Sequence, residues 1–347
     1  MKRVAVIGYG GQGAWHCGQI LKSDVAQLAG TYDIKEKRRE AAKAASIFVY
    51  DNNEAIFADP TVDIIVVATP NDVHEELVKT ALRSGKNVIC EKPVALSVES
   101  FDRMVEAAKE SGKHFTVHQN RRWDVDFLAT KQVIESGEIG EVIRIESRIH
   151  GSRGIPSDWR CEKAPGGGMI FDWGVHLIDQ MLQLIPEQIV GVNCVCSHIT
   201  NQEVDDGFRL ELDFVSGKTA HVEVGTYNFL AMPRFYMQCK QGSLNIVDWR
   251  QEAHVAKLTA WIEKDVTPVQ NAAGITKTMA PRDSLTLDEY NIPRPVADVH
   301  NFDRNFCAAI DGQDQQLIKP EEVRRVLCVM EACFQSDAAH QTVQVII

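Results

Sequence analysis

No apolar stretch in this 347-residue chain approaches the ~20 residues that span a bilayer, so a membrane-spanning protein is not expected. Positive charge is also short. With 37 Lys and Arg against 48 Asp and Glu the net charge is −11, which argues against nucleic-acid phosphate or an anionic membrane as the main partner. The nine cysteines are odd in number and scattered, and no CxxC pair occurs among them, which suits reduced thiols in the cytoplasm. Met1-Lys2-Arg3 carries positive charge, but the apolar run that follows stops at Gly8, too soon for a secretory signal. Internal repeats and low-complexity tails are missing as well. These absences leave a small-molecule enzyme, and the length suggests two domains.

What is present begins with Val4-Ala5-Val6-Ile7, four apolar residues suited to a strand buried on both faces, followed by Gly8, Gly10 and Gly13 in GxGxxG spacing. Gly8 permits the tight turn, Gly10 lets backbone approach a pyrophosphate, and Gly13 lets the next helix pack close. That helix turns its free N–H groups toward the phosphates. A second strand, Val25 to Tyr32, ends at Asp33, twenty residues past Gly13, where an acid can accept hydrogen bonds from an adenosine ribose.

Through residue 118 strand and helix alternate, the grammar of a doubly wound parallel sheet. Strands are predicted at Ile47 to Tyr50, Asp63 to Ala68, Asn87 to Glu91 and His114 to His118, and helices at Gly11 to Lys22, Ile34 to Ala45, Val73 to Ser84 and Ser97 to Ser111. In such sheets ligands bind outside the carboxyl ends of the strands. Cofactor contacts are therefore expected from Gly8, Gly10, Gly11, Gln12 and Gly13, from Asp33 and Ile34, from Thr69, Pro70, Asn71 and His74, and from Glu91, Lys92 and Asn120.

After Asn120 the pattern changes to an α+β domain on an open, mainly antiparallel sheet. The expected division is 1–120 for a dinucleotide-binding Rossmann domain and 121–347 for substrate binding and oligomerisation. A helix from Asp124 should stop at Gly137, and Val142 to Ile149 alternates with Ile143, Ile145 and Ile149 on one face. Residues 151–168 form a long loop, Met169 to Ile185 a helix, and Gln188 to about Trp261 a run of strands. The proline-rich stretch beyond is expected to be mostly irregular. Two helices close the chain, one with Val299, Phe302, Phe306 and Ile310 in a stripe and one after Pro320.

Read together, Gly8-x-Gly10-x-x-Gly13, Glu91-Lys92-Pro93, Gly166-Gly167-Gly168 and Asp172-Trp173-Gly174-Val175-His176 resemble the glucose-fructose oxidoreductase / inositol dehydrogenase (Gfo/Idh/MocA) family over essentially the whole length. The resemblance implies a catalytic pocket lined by Lys92, Asp172 and His176. On a helix Asp172 and His176, four apart, share a face; a histidine can exchange a proton with an alcohol near neutral pH, and Lys92 can stabilise an alkoxide. Substrate contacts are expected from these three, from Asn120 and Trp123 at the domain junction, and from Trp159 and Arg160 as part of a lid. The bland alternatives are a helix-capping Asp172 and a core His176, and for Arg121 and Arg122 a solvated or carboxylate-paired state. His176 and Asp179 lack a third ligand, so no metal is expected.

The implied activity is an NAD(P)-dependent dehydrogenase acting on a secondary ring hydroxyl, or the ketone, of a sugar, glycoside or cyclitol. The alternatives are an NAD-retaining glycosidase of the same family and a non-catalytic dinucleotide-sensing regulator. The cofactor expected is NAD, with NADP open because Lys35, Lys37, Arg38 and Arg39 lie near Asp33. A homodimer or homotetramer through the C-terminal sheet is expected, and neither nucleic acid nor membrane as a partner.

Overall fold

The computed structural model describes residues 1–261, 267–282 and 284–347. Its first half alternates β1 (Lys2–Ile7), α1 (Gly11–Ile20), β2 (Ala26–Tyr32), α2 (Glu36–Ala44), α3 (Asn53–Ala58), β3 (Ile64–Val67), α4 (His74–Arg83), β4 (Asn87–Cys90), α5 (Val98–Ser111) and β5 (Phe115–Val117). The five strands form one parallel sheet in the order β2-β1-β3-β4-β5. All four residues of β3 and of β4 are buried, as a sheet covered on both faces requires. The expected strand at Ile47 to Tyr50 shrinks to a single parallel bridge between Thr31 and Val49. Phe48 is 63% exposed, so that segment lies at the margin of the sheet, where pairing on only one side leaves no reason to extend. The Ser97 hydroxyl caps α5 by accepting the Ser100 N–H at 3.2 Å.

The second half contains α6 (Val125–Ser136), β6 (Val142–His150), α7 (Val175–Leu184), β7 (Ile189–Ser197), β8 (Gly207–Phe214), β9 (Thr219–Gly225), β10 (Phe235–Cys239), β11 (Gly242–Ile246) and β12 (Ala253–Leu258). A hairpin of β13 (Val269–Asn271) and β14 (Gly274–Thr276) follows, then β15 (Leu287–Ile292), α8 (His300–Ile310), α9 (Pro320–Ala339) and β16 (Val343–Gln344). Nine of these strands form a mixed sheet, β15-β12-β11-β10-β6-β9-β8-β7-β16, antiparallel except where β6 runs parallel to β9. The proline-rich stretch is mostly irregular among its described residues, as expected, but it contains the β13–β14 hairpin and one longer strand. Its Leu287–Ile292 segment pairs with β12 along six residues, because an exposed edge strand needs only one buried partner face and can be largely polar. Residues 262–266 and 283 of that stretch lie outside the described residues.

Helices α6, α7 and α9 pack on one face of the large sheet. On β6, Ile145 is buried as expected, but Ile143 is 40% exposed: the pairing with β10 shifts register there, from Gln238 opposite Arg144 to Cys239 opposite Val142, and skips Ile143. The other face carries Arg144, Glu146, Arg148, His221 and Glu223 in a ladder of ion pairs that buries the Arg148 side chain to 7% exposure. The chain finally returns to the first sheet. Phe306 and Cys307 of α8 line a small void with Val4, Ile64 and Ile89, and Arg304 pairs with Asp24 at 3.0 Å. No helix among the described residues is long and apolar enough to cross a membrane.

Candidate active site

The glycine turn at the end of β1 is built as the spacing demands. Gly8 has φ +96°, and a Cβ there would lie 2.3 Å from the Ala68 carbonyl oxygen. A Cβ on Gly13 would lie 2.0 Å from the Gly8 oxygen, so close helix packing allows no side chain. Gly10 and Gly11, in contrast, face open space, with nothing within 4 Å of a built Cβ. The first turn of α1 has no side-chain cap, which leaves its N–H groups free for an anion. At the end of β2 the Asp33 carboxylate is pinned across the turn, accepting the Tyr9 N–H at 2.7 Å and the Lys35 N–H at 2.8 Å. Ile34 beside it is 78% exposed. The nearby Arg39 is occupied, donating to the Asp33 and Ile34 carbonyls at 2.8 and 2.9 Å.

Further along the strand ends, buried polar atoms lack partners among the described residues: Thr69 Oγ1 after β3 and both polar atoms of Gln119 after β5. An open glycine cradle, an uncapped helix start and orphaned polar atoms at neighbouring strand ends fit a dinucleotide. Gln119, 1% exposed, stands beyond the end of β5, where the strand order places ligands; that its amide has no partner among the described residues shows only once the packing is known. His74 does not line this crevice. Its ring is fully buried, with Nε2 2.9 Å from the Thr69 carbonyl oxygen and Nδ1 3.1 Å from that of Pro93, so it braces backbone. Asn71 lies buried beneath the glycine loop, donating to the Gly166 carbonyl at 3.3 Å, while Pro70 is exposed. Asn120 opens the 3-10 turn Asn120–Trp123, and Trp123 packs edge-on to Phe302 at 6.0 Å.

Glu91 also turns away from the crevice. Its Oε1 accepts from His16 Nε2 at 2.6 Å and His118 Nδ1 at 2.8 Å, while its Oε2 accepts the Lys92 N–H at 3.2 Å. Burial opposes its charge, yet the two imidazoles hold its pKa well below the usual range. Ligand atoms of His16, Glu91 and His118 lie within 4.8 Å of one another, but contacts of 2.6 and 2.8 Å to one oxygen have hydrogen-bond lengths. The trio braces α1 against the ends of β4 and β5, next to Lys92.

Lys92 reaches across to the second half of the chain. Its Nζ donates to the Asp172 carbonyl at 2.8 Å and to Asp172 Oδ1 at 3.1 Å, so its ion-pair partner is Asp172 and not Glu91. Arg160, from the long loop, donates Nε to Asp172 Oδ2 at 3.0 Å and lies over the Trp159 ring at 4.6 Å. Burial raises the Asp172 pKa, but the charges of Lys92 and Arg160 outweigh it and leave the carboxyl below its ordinary value. The helix expected at Met169 to Ile185 starts with a π turn, Ile170–Gly174, before α7. Asp172 therefore sits in the π turn and His176 in the α-helix. Gly174, whose Cβ would lie 3.1 Å from the Phe208 ring, marks the change, and such turns recur at functional sites.

His176 is 4% exposed, and its Nδ1 has no partner among the described residues. Burial, reinforced by the charges of Lys92 and Arg121, pushes its pKa well below the ordinary value and keeps the imidazole neutral. Between the two residues Trp173 meets His176 edge-on at 6.0 Å and carries the Arg121 guanidinium on its face at 4.3 Å. Both arginines of the turn are paired: Arg121 with Asp124 at 3.0 Å, Arg122 with Asp179 at 2.6 Å and Glu322 at 2.8 Å. Asp179 is thus an ion-pair partner rather than a metal ligand.

Residues 2–119 match the oxidoreductase family model with NAD-binding Rossmann fold, and residues 127–245 match the GFO/IDH/MocA C-terminal domain. An uncharacterized oxidoreductase of Schizosaccharomyces pombe is 39% identical over 173 residues, 49% of this chain and 47% of its own length. The chain spans about half the length of this and two further curated relatives, at 48 and 53%. The scyllo-inositol 2-dehydrogenase (NADP(+)) IolW of Bacillus subtilis is 27% identical over 98% of this chain and 95% of its own. The crystal structure of an NAD-binding protein from Listeria innocua is 40% identical, covers 99% of each chain and superposes with a TM-score of 0.96. With residues 2–119 and 127–245 both matched, the chain belongs to the Gfo/Idh/MocA family of oxidoreductases with an NAD-binding Rossmann fold.

Proposed function

We propose that the chain is an NAD-dependent dehydrogenase that moves a hydride between a secondary ring hydroxyl, or the corresponding ketone, of a sugar, glycoside or cyclitol and the nicotinamide. The observation that carries this is a lysine at the carboxyl end of β4 held at 3.1 Å by Asp172, with His176, four residues further on, buried and its Nδ1 without a partner among the described residues. A bound nicotinamide supplies the hydride acceptor. The hydroxyl proton passes to the neutral imidazole of His176 as the C–H hydride leaves, and the Lys92 ammonium stabilises the developing alkoxide. Asp172 fixes the lysine, and Arg160 brings the long loop over the pocket. Reduction of the ketone runs the same transfers backwards. The inositol specificity named for the Bacillus relative supports a polyhydroxylated ring as substrate.

Residues 1–120 carry the dinucleotide in this proposal, and 121–347 carry substrate and assembly. Asp33, anchored beside the ribose position, disfavours a 2′-phosphate, so NAD should have the higher kcat/KM; a higher value for NADP overturns the preference. A homodimer or homotetramer through the C-terminal sheet belongs to the same proposal, and light scattering showing a monomer at micromolar concentration argues against it. Nine free cysteines suit a cytoplasmic setting. The decisive test is a screen of sugars, glycosides and inositols with both cofactors, read as NADH or NADPH absorbance. Accumulation of reduced cofactor supports the dehydrogenase. Cleavage of a glycoside without net reduction supports the family's glycosidase chemistry, and binding of dinucleotide with no turnover supports a sensor.

A further inference from the structure

Asp172 meets both of its cations only if two separate pieces of chain are held still: the π turn Ile170–Gly174 that carries it, and the loop 151–168 that carries Arg160. The two pieces join at Gly168. Its N–H donates to the Arg160 carbonyl at 2.9 Å, and its own carbonyl accepts the Asp172 N–H at 3.0 Å. A shift of Gly168 therefore moves the carboxylate and the guanidinium together.

Gly168 is fixed from behind by a side chain that the proposed reaction does not use. A Cβ on Gly168 would lie 2.2 Å from Oδ1 of Asp205, so that carboxyl fills the space a side chain would take. The same carboxyl accepts the Ile170 N–H through Oδ2 at 2.8 Å, and the Asp205 carbonyl accepts the Met169 N–H at 3.0 Å. Two N–H groups at the start of the π turn, which have no preceding helical carbonyl to meet, are thereby satisfied. Asp205 is 5% exposed, and burial pushes its pKa up to about 7, so it serves the turn as a hydrogen-bond acceptor more than as a fixed charge. Its position is set by its neighbour. Asp206 accepts from Ser197 Oγ at 3.1 Å and Thr200 Oγ1 at 2.9 Å, and its carbonyl accepts from Thr226 Oγ1 at 2.6 Å, which ties the connection between β7 and β8 to the end of β9. That connection holds the loop at two further points, with Asn201 donating to the Cys161 carbonyl at 3.1 Å and Glu203 accepting the Lys163 N–H at 2.9 Å.

We propose that Asp205 is a positioning residue for the reaction: by holding Gly168 and Ile170 it sets the Asp172 carboxylate between Lys92 and Arg160. The proposal rests on the dehydrogenase reading above. Loss of this acceptor leaves every reacting group present but displaced, and a displacement of ~1 Å can cost ~10² in rate.

The test measures kcat and KM at saturating NAD on the best compound of the screen, together with NADH affinity. Asp205→Ala should lower kcat by about tenfold or more and leave NADH affinity within about twofold of wild type, because the expected dinucleotide contacts lie in the other half of the chain. Asp205→Asn, whose amide oxygen can accept the Ile170 N–H, should keep kcat within about threefold. A merely structural loss adds to any other lesion. In an Asp172→Asn background Asp205→Ala should instead cost less than about twofold more, since its effect runs through Asp172. An unchanged kcat in Asp205→Ala, a kcat lost equally in Asp205→Asn, or the full further loss in the Asp172→Asn background overturns the proposal. If Asp205→Ala does not fold, Asp205→Ser, short but polar, takes its place, and failure of both to fold assigns the residue to folding alone and overturns the proposal too. If NADH binds but wild type oxidises no compound, the dehydrogenase reading has failed separately. Hydrogen exchange then decides: amides from Asp172 to His176 that exchange about tenfold faster in Asp205→Ala retain the brace, and unchanged exchange removes it.

Discussion

Three glycines a few residues apart have different reasons to be glycine, and the difference can be measured. Gly13→Ala forces a Cβ to 2.0 Å from a carbonyl oxygen and should cost at least the ~1–3 kcal/mol of overpacking, seen as a drop in Tm. Gly10→Ala meets nothing within 4 Å and keeps an ordinary φ of −75°, so its Tm should match the wild type while NADH affinity, titrated by tryptophan fluorescence, falls. His176→Ala should do the opposite, leaving NADH affinity nearly intact and lowering turnover by ~10²–10⁴, the usual worth of a general base. Wild-type turnover in that variant would shift the role of base to Lys92. Asp33→Ala should weaken NAD while sparing turnover at saturating cofactor.

At the scale of elements, the turn Asn120–Trp123 is held against α7 and α9 by one arginine. Arg122 is 10% exposed and Asp179 3%, and burial of both makes the pair costly to break. Arg122→Ala leaves a buried carboxylate uncompensated and should lose ~3–5 kcal/mol in urea unfolding, whereas the double change Arg122→Met with Asp179→Leu should recover most of that loss. A double variant no more stable than the single one would show that the pair specifies the packing as well as balancing charge. The π turn at Ile170–Gly174 belongs to the same scale: it sets Asp172 against Lys92 and Arg160 while His176 stays in the α-helix behind it.

For the whole molecule, the buried histidines set the response to acid. Burial lowers the pKa of His16, His74 and His176 from 6.5, so the folded protein binds fewer protons than the unfolded chain below that pH. Their stabilisation is present above about pH 6.5 and is lost as pH falls toward their folded values, at up to ~1.36 kcal/mol per pH unit for each group. Asp205 has the opposite sign. Burial raises its pKa to about 7, so its contribution is full below 3.8 and is lost as pH rises toward 7. Asp124, Asp179 and Asp303, raised by burial, and His221, raised to about 9 by its bonds to Glu211 and Glu223, share that sign. Asp205→Asn removes one opposing group and should steepen the fall of Tm, or flatten its rise, as pH drops from 6.5 to 5; a pH dependence identical to that of the wild type would contradict the raised Asp205 pKa.

What the sequence determined by itself was local in cause. The apolar run Val4 to Ile7, the glycine spacing and the strand-helix alternation to residue 118 state a parallel sheet because each pattern reports burial along a single element. The motif carrying Lys92, Asp172 and His176 was legible too, as was Pro320 at the start of α9. Tertiary structure alone decided which groups meet. It sent Glu91 to His16 and His118, enclosed His74 among carbonyls, paired Lys92 with Asp172 and laid α8 on the first sheet. It also recruited the polar Leu287–Ile292 as an edge strand and brought residues 121–126, Trp249 and Arg294 around one open depression. Those outcomes depend on side chains far apart in sequence competing for the same partners, and no periodicity along the chain records that competition.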